Sequence, residues 1–308
     1  MPPPTRGCTA VAALPHDPGV YRFRDGRGRV IYVGRASDLR SRVGSYWGDL
    51  LDRPHLRRMV GQIERIEAIP CDSAHEAAWL ERNLLERSRP RWNRVRGGLE
   101  VPTWIVLEQG PGSARLRVTH APAEPPAESF GPYLGGTRSR LAVAALDRVV
   151  GLAYAGDGLG GSERDMARVR GVRATERVER VALVRAVLAG EPAAVRTVSG
   201  QLTDRRDDAA RALAYEVAAA VQDELSALLW VTARQRVTTR ADGDADIRGW
   251  AGGVLVQLTL TAGRVDRWEQ RPCTAARAIR QVEGTAEEWR EFAERAAELA
   301  ALLVRAHG

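Results

Sequence analysis

Residues 18–46, PGVYRFRDGRGRVIYVGRASDLRSRVGSY, leave little choice for the chain around them. Two short apolar runs, Gly19-Val20-Tyr21-Arg22-Phe23 and Val30-Ile31-Tyr32-Val33, flank Asp25-Gly26-Arg27-Gly28. Period-two alternation around a Gly-containing turn predicts a β-hairpin. A helix should follow, with Ser37 as its N-cap and Leu39, Val43 and Tyr46 recurring at i, i+4 and i+7. Each of these three elements then carries one tyrosine: Tyr21, Tyr32 and Tyr46. Arg35 lies just past the second strand, and Arg42 shares a helix face with Leu39 and Tyr46. Taken singly, a strand tyrosine is ordinarily core with its hydroxyl at the rim, and a helix arginine is ordinarily solvated. Three phenols beside two fixed cations point instead to a site that handles phosphate.

Charge placement agrees with a polyanionic partner. The net charge of +7 sits entirely in residues 1–98, which hold 18 arginines against 11 acidic groups, while the remainder is balanced. There is no lysine, so arginine does every cationic job. This is a modest footprint for nucleic acid. The 308 residues suffice for two ordinary domains, and no apolar stretch is long enough to span a membrane. The N-terminal Met-Pro-Pro-Pro-Thr-Arg has no apolar signal core, so a cytoplasmic location is expected. Cys8, Cys71 and Cys273 lie far apart with no metal-ligand spacing, which predicts reduced thiols.

Residues 56–61 should form a second helix and residues 63–69 a third strand, completing a small sheet. Ser73 with Glu76 three residues on has the form of a capping box, so a third helix should start there. It would run through Ala77, Leu80, Leu84 and Leu85 to a stop at Pro90, with Glu81 on or beside its buried face. Further strands are expected at 103–107, 115–118 and 130–133, around a Pro-rich loop at 121–127. A helix is expected at 138–151, a linker at 155–164, and helices through 174–233. A pair of strands should occupy 246–268, and a final helix 286–306, with Thr285 as its N-cap.

The opening stretch resembles the GIY-YIG nuclease module. Gly19-Val20-Tyr21 stands at the first triplet and Tyr32-Val33-Gly34 at the second. It is most similar to the UvrC/Cho branch, whose pattern is met by Pro18–Tyr21, Tyr32–Ala36, Arg42 and Tyr46, then by Trp79-Leu80-Glu81-Arg82-Asn83-Leu84-Leu85 and Arg89-Pro90-Arg91-Trp92-Asn93. Trp92 replaces a usual tyrosine and Arg35 a usual lysine. The resemblance implies an α+β chain. Residues 15–98 would be the nuclease domain, a three-stranded antiparallel sheet flanked by helices, followed by a mixed, largely helical region. Within that region, residues 99–153 would be the β/α segment that follows the nuclease module, carrying Phe130-Gly131-Pro132-Tyr133. A linker at 154–172 lacks the family's cysteine cluster, so no iron–sulfur centre is expected. Residues 173–235 would hold a UVR-like helical hairpin and 236–308 a β-hairpin and C-terminal helix.

By the same resemblance the reaction is metal-assisted hydrolysis of a DNA phosphodiester. Glu81 would hold one Mg²⁺ or Mn²⁺, and Arg42 a phosphate oxygen. Tyr21 or Tyr32 would position or deprotonate the attacking water, with Arg35 supplying the field that lowers the phenol pKa. Tyr46 and Asn93 would hold the phosphate and the glutamate in place. The implied function is a single incision, 3′ to a lesion in damaged duplex DNA, in nucleotide excision repair, with UvrB met through the segment Tyr215–Asp223. Two other readings stay open: a structure-specific GIY-YIG nuclease independent of UvrA and UvrB, and a non-catalytic DNA- or UvrB-binding protein.

Overall fold

The hairpin forms. In the computed structural model, which describes residues 5–48, 54–93, 100–237 and 243–307, β1 (Gly19–Arg24) pairs antiparallel with β2 (Val30–Ala36), placing Tyr21 opposite Gly34 and Phe23 opposite Tyr32. The turn is organised by Asp25, whose carboxylate accepts the backbone N–H groups of Arg27 and Arg29, each at 3.0 Å. β3 (Arg65–Pro70) adds to the other side of β1, giving the order β2-β1-β3. The flanking helices are α1 (Thr5–Ala12), α2 (Leu39–Gly44), α3 (Pro54–Val60) and α4 (Ala74–Arg87).

Both open edges of this sheet are covered by groups outside it, which removes the unpaired ladder an edge strand would expose. On β2, the Trp92 N–H donates to the Ile31 carbonyl at 3.0 Å and the Asn93 amide bonds both backbone groups of Val33. On β3, the Ile66 N–H donates to Nε2 of His307 at 3.1 Å.

The chain forms two compact units, residues 1–99 with 235–308, and residues 100–234. In the first unit the C-terminal segment builds β7 (Ala245–Ala251), β8 (Val254–Thr261) and β9 (Arg264–Pro272), in that sheet order, followed by α10 (Ala275–Val282) and α11 (Glu287–His307). Leu299 and Leu303 of α11 join Tyr21, Phe23, Leu39, Val43, Tyr46, Met59 and Ile66 in one buried core. On the opposite face of the small sheet, Arg22 is buried. Its guanidinium lies 3.9 Å from the Trp268 ring of β9, donates to the Trp268 carbonyl at 2.7 Å, and pairs with Glu67. Desolvation pulls its pKa down to about 10 even with Glu67 beside it. Asp266 and Arg264 of β9 pair with Arg87 and Glu86 of α4. Residues 235–308 thus supply part of the core on both faces of the N-terminal sheet.

In the second unit, β4 (Thr103–Gly110), β5 (Ser113–Thr119) and β6 (Glu128–Tyr133) form a sheet in the order β5-β4-β6. It packs with α5 (Gly136–Val150), α7 (Arg177–Leu188), α8 (Pro192–Arg211) and α9 (Tyr215–Thr232) around Ile105, Leu107, Leu146, Val184, Val198 and Leu228. α6 (Gly161–Val169) occupies part of the stretch expected to be a linker. α8 and α9 form a hairpin, tied by a hydrogen bond from Arg206 to Gln222 at 2.7 Å.

Five local expectations are corrected. The N-cap of α2 is Asp38, not Ser37, its carboxylate accepting the Ser41 N–H at 2.8 Å. The helix is short, so Tyr46 sits in a 3₁₀ turn, Ser45–Trp47. At α4 only half of the capping box forms: Ser73 accepts the Glu76 N–H, but Glu76 is buried and accepts N–H groups of Asp72 and Arg236 instead. Residues 245–272 form three strands rather than two, because Ala262 and Gly263 make a second turn with positive φ at both positions. Alanine at φ 49° is an uncommon turn residue, so the sequence carries no turn signal there. Thr285 does not cap α11; its hydroxyl pairs with the backbone of Arg248 in β7.

Candidate active site

The three tyrosines meet. The strand pairing puts Tyr21 and Tyr32 on one face of the sheet, and the 3₁₀ turn brings Tyr46 onto them, with ring centroids 6.0–6.1 Å apart in all three pairings. Phe23 packs against all three rings and against Trp47. The hydroxyls of Tyr21 and Tyr46 are hydrogen-bonded at 2.8 Å, and Tyr32 bonds Tyr46 as well. The glycines of both triplets are required by packing. A Cβ on Gly34 would stand 2.6 Å from the Tyr21 hydroxyl and 2.8 Å from the Tyr32 ring. One on Gly19 would stand 2.4 Å from the Ile69 carbonyl oxygen.

Arg42, projecting from α2, completes this side. Its guanidinium lies 5.4 Å from the Tyr46 ring centre and bonds the Tyr21 oxygen. Partial desolvation works against its charge, but the oxygens of Tyr21 and Tyr46 outweigh that and hold its pKa above the ordinary arginine value. Burial, and then the neighbouring phenols, push Tyr21 well above its usual pKa. Tyr32 is raised too, by burial first, then by Tyr46 and by the negative field of Glu81, against the opposing effect of Arg42. Arg42 is a cation acting on both of these phenols, and burial overrides it. In the free protein both groups are proton-bearing hydroxyls linked in a chain, Arg42–Tyr21–Tyr46–Tyr32.

Glu81 lies on α4, partly exposed, with Arg35 beside it: Nε of Arg35 is 3.3 Å from Oε2 of Glu81. Strand alternation puts Arg35 on the face opposite Tyr32, so the carboxylate and the phenols approach β2 from its two sides. Tyr32 joins the two groups, because its hydroxyl is within the electrostatic reach of both Glu81 and Arg42. The Asn93 amide is turned onto the backbone of β2. Its Oδ1 accepts the Val33 N–H at 3.0 Å and its Nδ2 donates to the Val33 carbonyl at 2.7 Å. It fixes β2 between Tyr32 and Gly34, and so acts on the site through the strand.

The donors fit one hard divalent ion. They are a carboxylate and phenol oxygens, and among the described residues no group of three or more His, Cys, Asp or Glu side chains gathers to hold a metal. One carboxylate with several retained waters is a habit of Mg²⁺. Residues that the sequence did not single out also build the site. Phe23 and Trp47 pack the rings, and Leu299 and Leu303 stand in the core behind them. Gly34 was legible as part of a triplet; the two leucines carry no sequence signal connecting them to a hairpin some 270 positions away.

A three-stranded antiparallel sheet with paired tyrosine triplets, a helix arginine and a helix glutamate defines a GIY-YIG nuclease module. Residues 17–94 match the family description "UvrC-like GIY-YIG domain". The chain thus carries a UvrC-like GIY-YIG domain over residues 17–94. It is 33% identical over 270 residues to the UvrABC system protein C of Mycobacterium sp. (strain KMS), covering 82% of this chain and 39% of that protein. It is 31% identical over 247 residues to the same-named protein of Salmonella schwarzengrund (strain CVM19633), covering 76% and 40%. The chain therefore spans about two fifths of the length of these curated relatives. Among solved structures, the GIY-YIG N-terminal endonuclease domain of UvrC from Thermotoga maritima, bound to magnesium as its catalytic divalent cation, aligns at 30% identity and a TM-score of 0.27, covering 29% of this chain and 98% of that one. No helix among the described residues is long and apolar enough to cross a membrane.

Proposed function

We propose that this chain is a metal-dependent DNA endonuclease that hydrolyses one phosphodiester, on the 3′ side of a lesion, in nucleotide excision repair. The observation that carries the reading is the cluster of Tyr21, Tyr32 and Tyr46 with the Arg42 guanidinium 5.4 Å from the Tyr46 ring centre, on a sheet whose second strand also brings Arg35 to within 3.3 Å of Glu81. A carboxylate for the ion and a guanidinium for the phosphate then stand on either side of one hydrogen-bonded phenol chain. The magnesium in the Thermotoga relative and the names of the curated relatives support the same reading.

A divalent ion at Glu81 supplies positive charge where the phosphate and its leaving oxygen become more negative. Arg42 binds a non-bridging phosphate oxygen, a preorganised donor whose worth grows as charge builds in the transition state. Tyr21 and Tyr32 hold the attacking water. Because burial keeps both phenols protonated in the free protein, they act as hydrogen-bonding groups that orient the water. Asn93 and Gly34 keep the tyrosines in register. Of the partners, DNA would meet the arginine-rich N-terminal region, and UvrB would meet the α8–α9 hairpin, where Leu213, Tyr215 and Val217 are exposed at the tip.

The test uses end-labelled damaged duplex and Mg²⁺, with UvrA and UvrB added in turn. The wild-type chain should cut once, 3′ to the lesion. Glu81→Gln should bind the duplex with unchanged affinity but not cut it. Cutting by Glu81→Gln at the parent rate would remove the metal assignment, and cutting without dependence on UvrA and UvrB would favour the structure-specific nuclease.

A further inference from the structure

We propose that Arg35 gates the metal site, its guanidinium occupying the Glu81 carboxylate until a divalent ion displaces it. The inference rests on Glu81 being the metal ligand and concerns how that ligand is made available.

The geometry is specific. Arg35 is paired across β1–β2 with Val20, and Asn93 holds Val33 two residues earlier, so the backbone carrying the side chain is anchored on both edges. From there Nε reaches Oε2 of Glu81 at 3.3 Å. The Arg35 side chain is 40% exposed and that of Glu81 21%, so water and ions can enter at the pair. A half-exposed ion pair is weak enough to be displaced by a divalent ion. The guanidinium nonetheless stays tethered nearby, and its positive charge opposes the incoming ion. Once displaced, its donors remain beside the ion, suited to a phosphate oxygen. An ion entering alone has to break the pair without replacing it. An ion entering with a phosphate offers the guanidinium a new anion, and so meets less opposition.

The test is Mn²⁺ binding by the full chain without DNA, followed by the loss of the free-ion EPR signal. Arg35→Ala should bind Mn²⁺ about five- to tenfold more tightly than the parent, through loss of the competing pair and of a nearby like charge. Arg35→Lys, which keeps the charge but loses the planar fork, should fall between the two. Arg29→Ala removes an equal charge from an arginine paired with Asp25 in the hairpin turn and should change affinity less than twofold. Circular dichroism checks that each variant is folded. If Glu81→Gln abolishes Mn²⁺ binding while Arg35→Ala matches the parent, the metal site stands and the gate is refuted. If Arg29→Ala tightens binding as much as Arg35→Ala, the effect is general electrostatics and the gate is again refuted. If Glu81→Gln binds Mn²⁺ as the parent does, the metal assignment fails, and the gate with it.

Discussion

Gly34→Ala adds a single methyl group at the point where the two triplets cross. The new Cβ would lie 2.6 Å from the Tyr21 hydroxyl, 2.7 Å from its Cζ and 2.8 Å from Cε1 of Tyr32. Ordinary carbon contacts fall near about 3.5–4.0 Å, so both rings have to shift by roughly 1 Å. Tyr21 is fully buried and its ring is held by Phe23 and Tyr46, so the shift propagates into the core. Overpacking of this kind costs about 1–3 kcal/mol, which lowers the melting temperature by about 2–12 °C for a unit of this size. The catalytic loss should be larger than stability alone explains. A displacement of about 1 Å in groups that position a reactant costs on the order of 10²-fold in rate. Single-turnover nicking well below the melting temperature, with a parallel thermal melt, separates the two effects. Gly26→Ala is the control, because a Cβ there meets nothing within 4 Å. Nicking by Gly34→Ala within about threefold of the parent would refute the claim that these rings are placed by contact with Gly34.

Arg42→Ala should lower the single-turnover rate by about 10²-fold, the scale for losing one preorganised donor, with the melt little changed because the side chain is exposed. Leu303→Ala removes a leucine that is 2% exposed in the core shared with Tyr21 and Tyr46. It should cost about 2–5 kcal/mol and lower the melting temperature by several degrees, although position 303 lies far outside the nuclease motif. A melt within 1 °C of the parent would show that α11 is not part of this core. Burial raises the phenol pKa of Tyr21, Tyr32 and Tyr133, three of the six tyrosines. Below about pH 10 both folded and unfolded forms keep these protons and they add no pH dependence; above it the unfolded chain loses protons that the native chain retains, so stability falls as pH rises. Phenolate absorbance of the native, metal-free protein near pH 11 should therefore account for no more than three tyrosines, and for all six after unfolding.

The local pattern of residues 18–93 carried most of the N-terminal sheet. Alternation fixes which strand residues share a face, and a glycine turn fixes the hairpin, so Tyr21 and Tyr32 were bound to meet once the strands paired. The resemblance to a nuclease motif made Arg42 and Glu81 candidates for the site, and the sequence left their partners undetermined. Ion pairs and pKa values depend on distances of a few ångströms between elements that are not adjacent in sequence. Only the folded chain puts Arg35 against Glu81, turns the Asn93 amide onto Val33, and buries the tyrosines deeply enough that desolvation overcomes Arg42. The placement of residues 235–308 was equally hidden. Their strands and helices can be read as local periodicity, but an apolar face does not name what it packs against, and here Trp268 covers Arg22 while Leu299 and Leu303 join the core that holds Tyr21 and Tyr46.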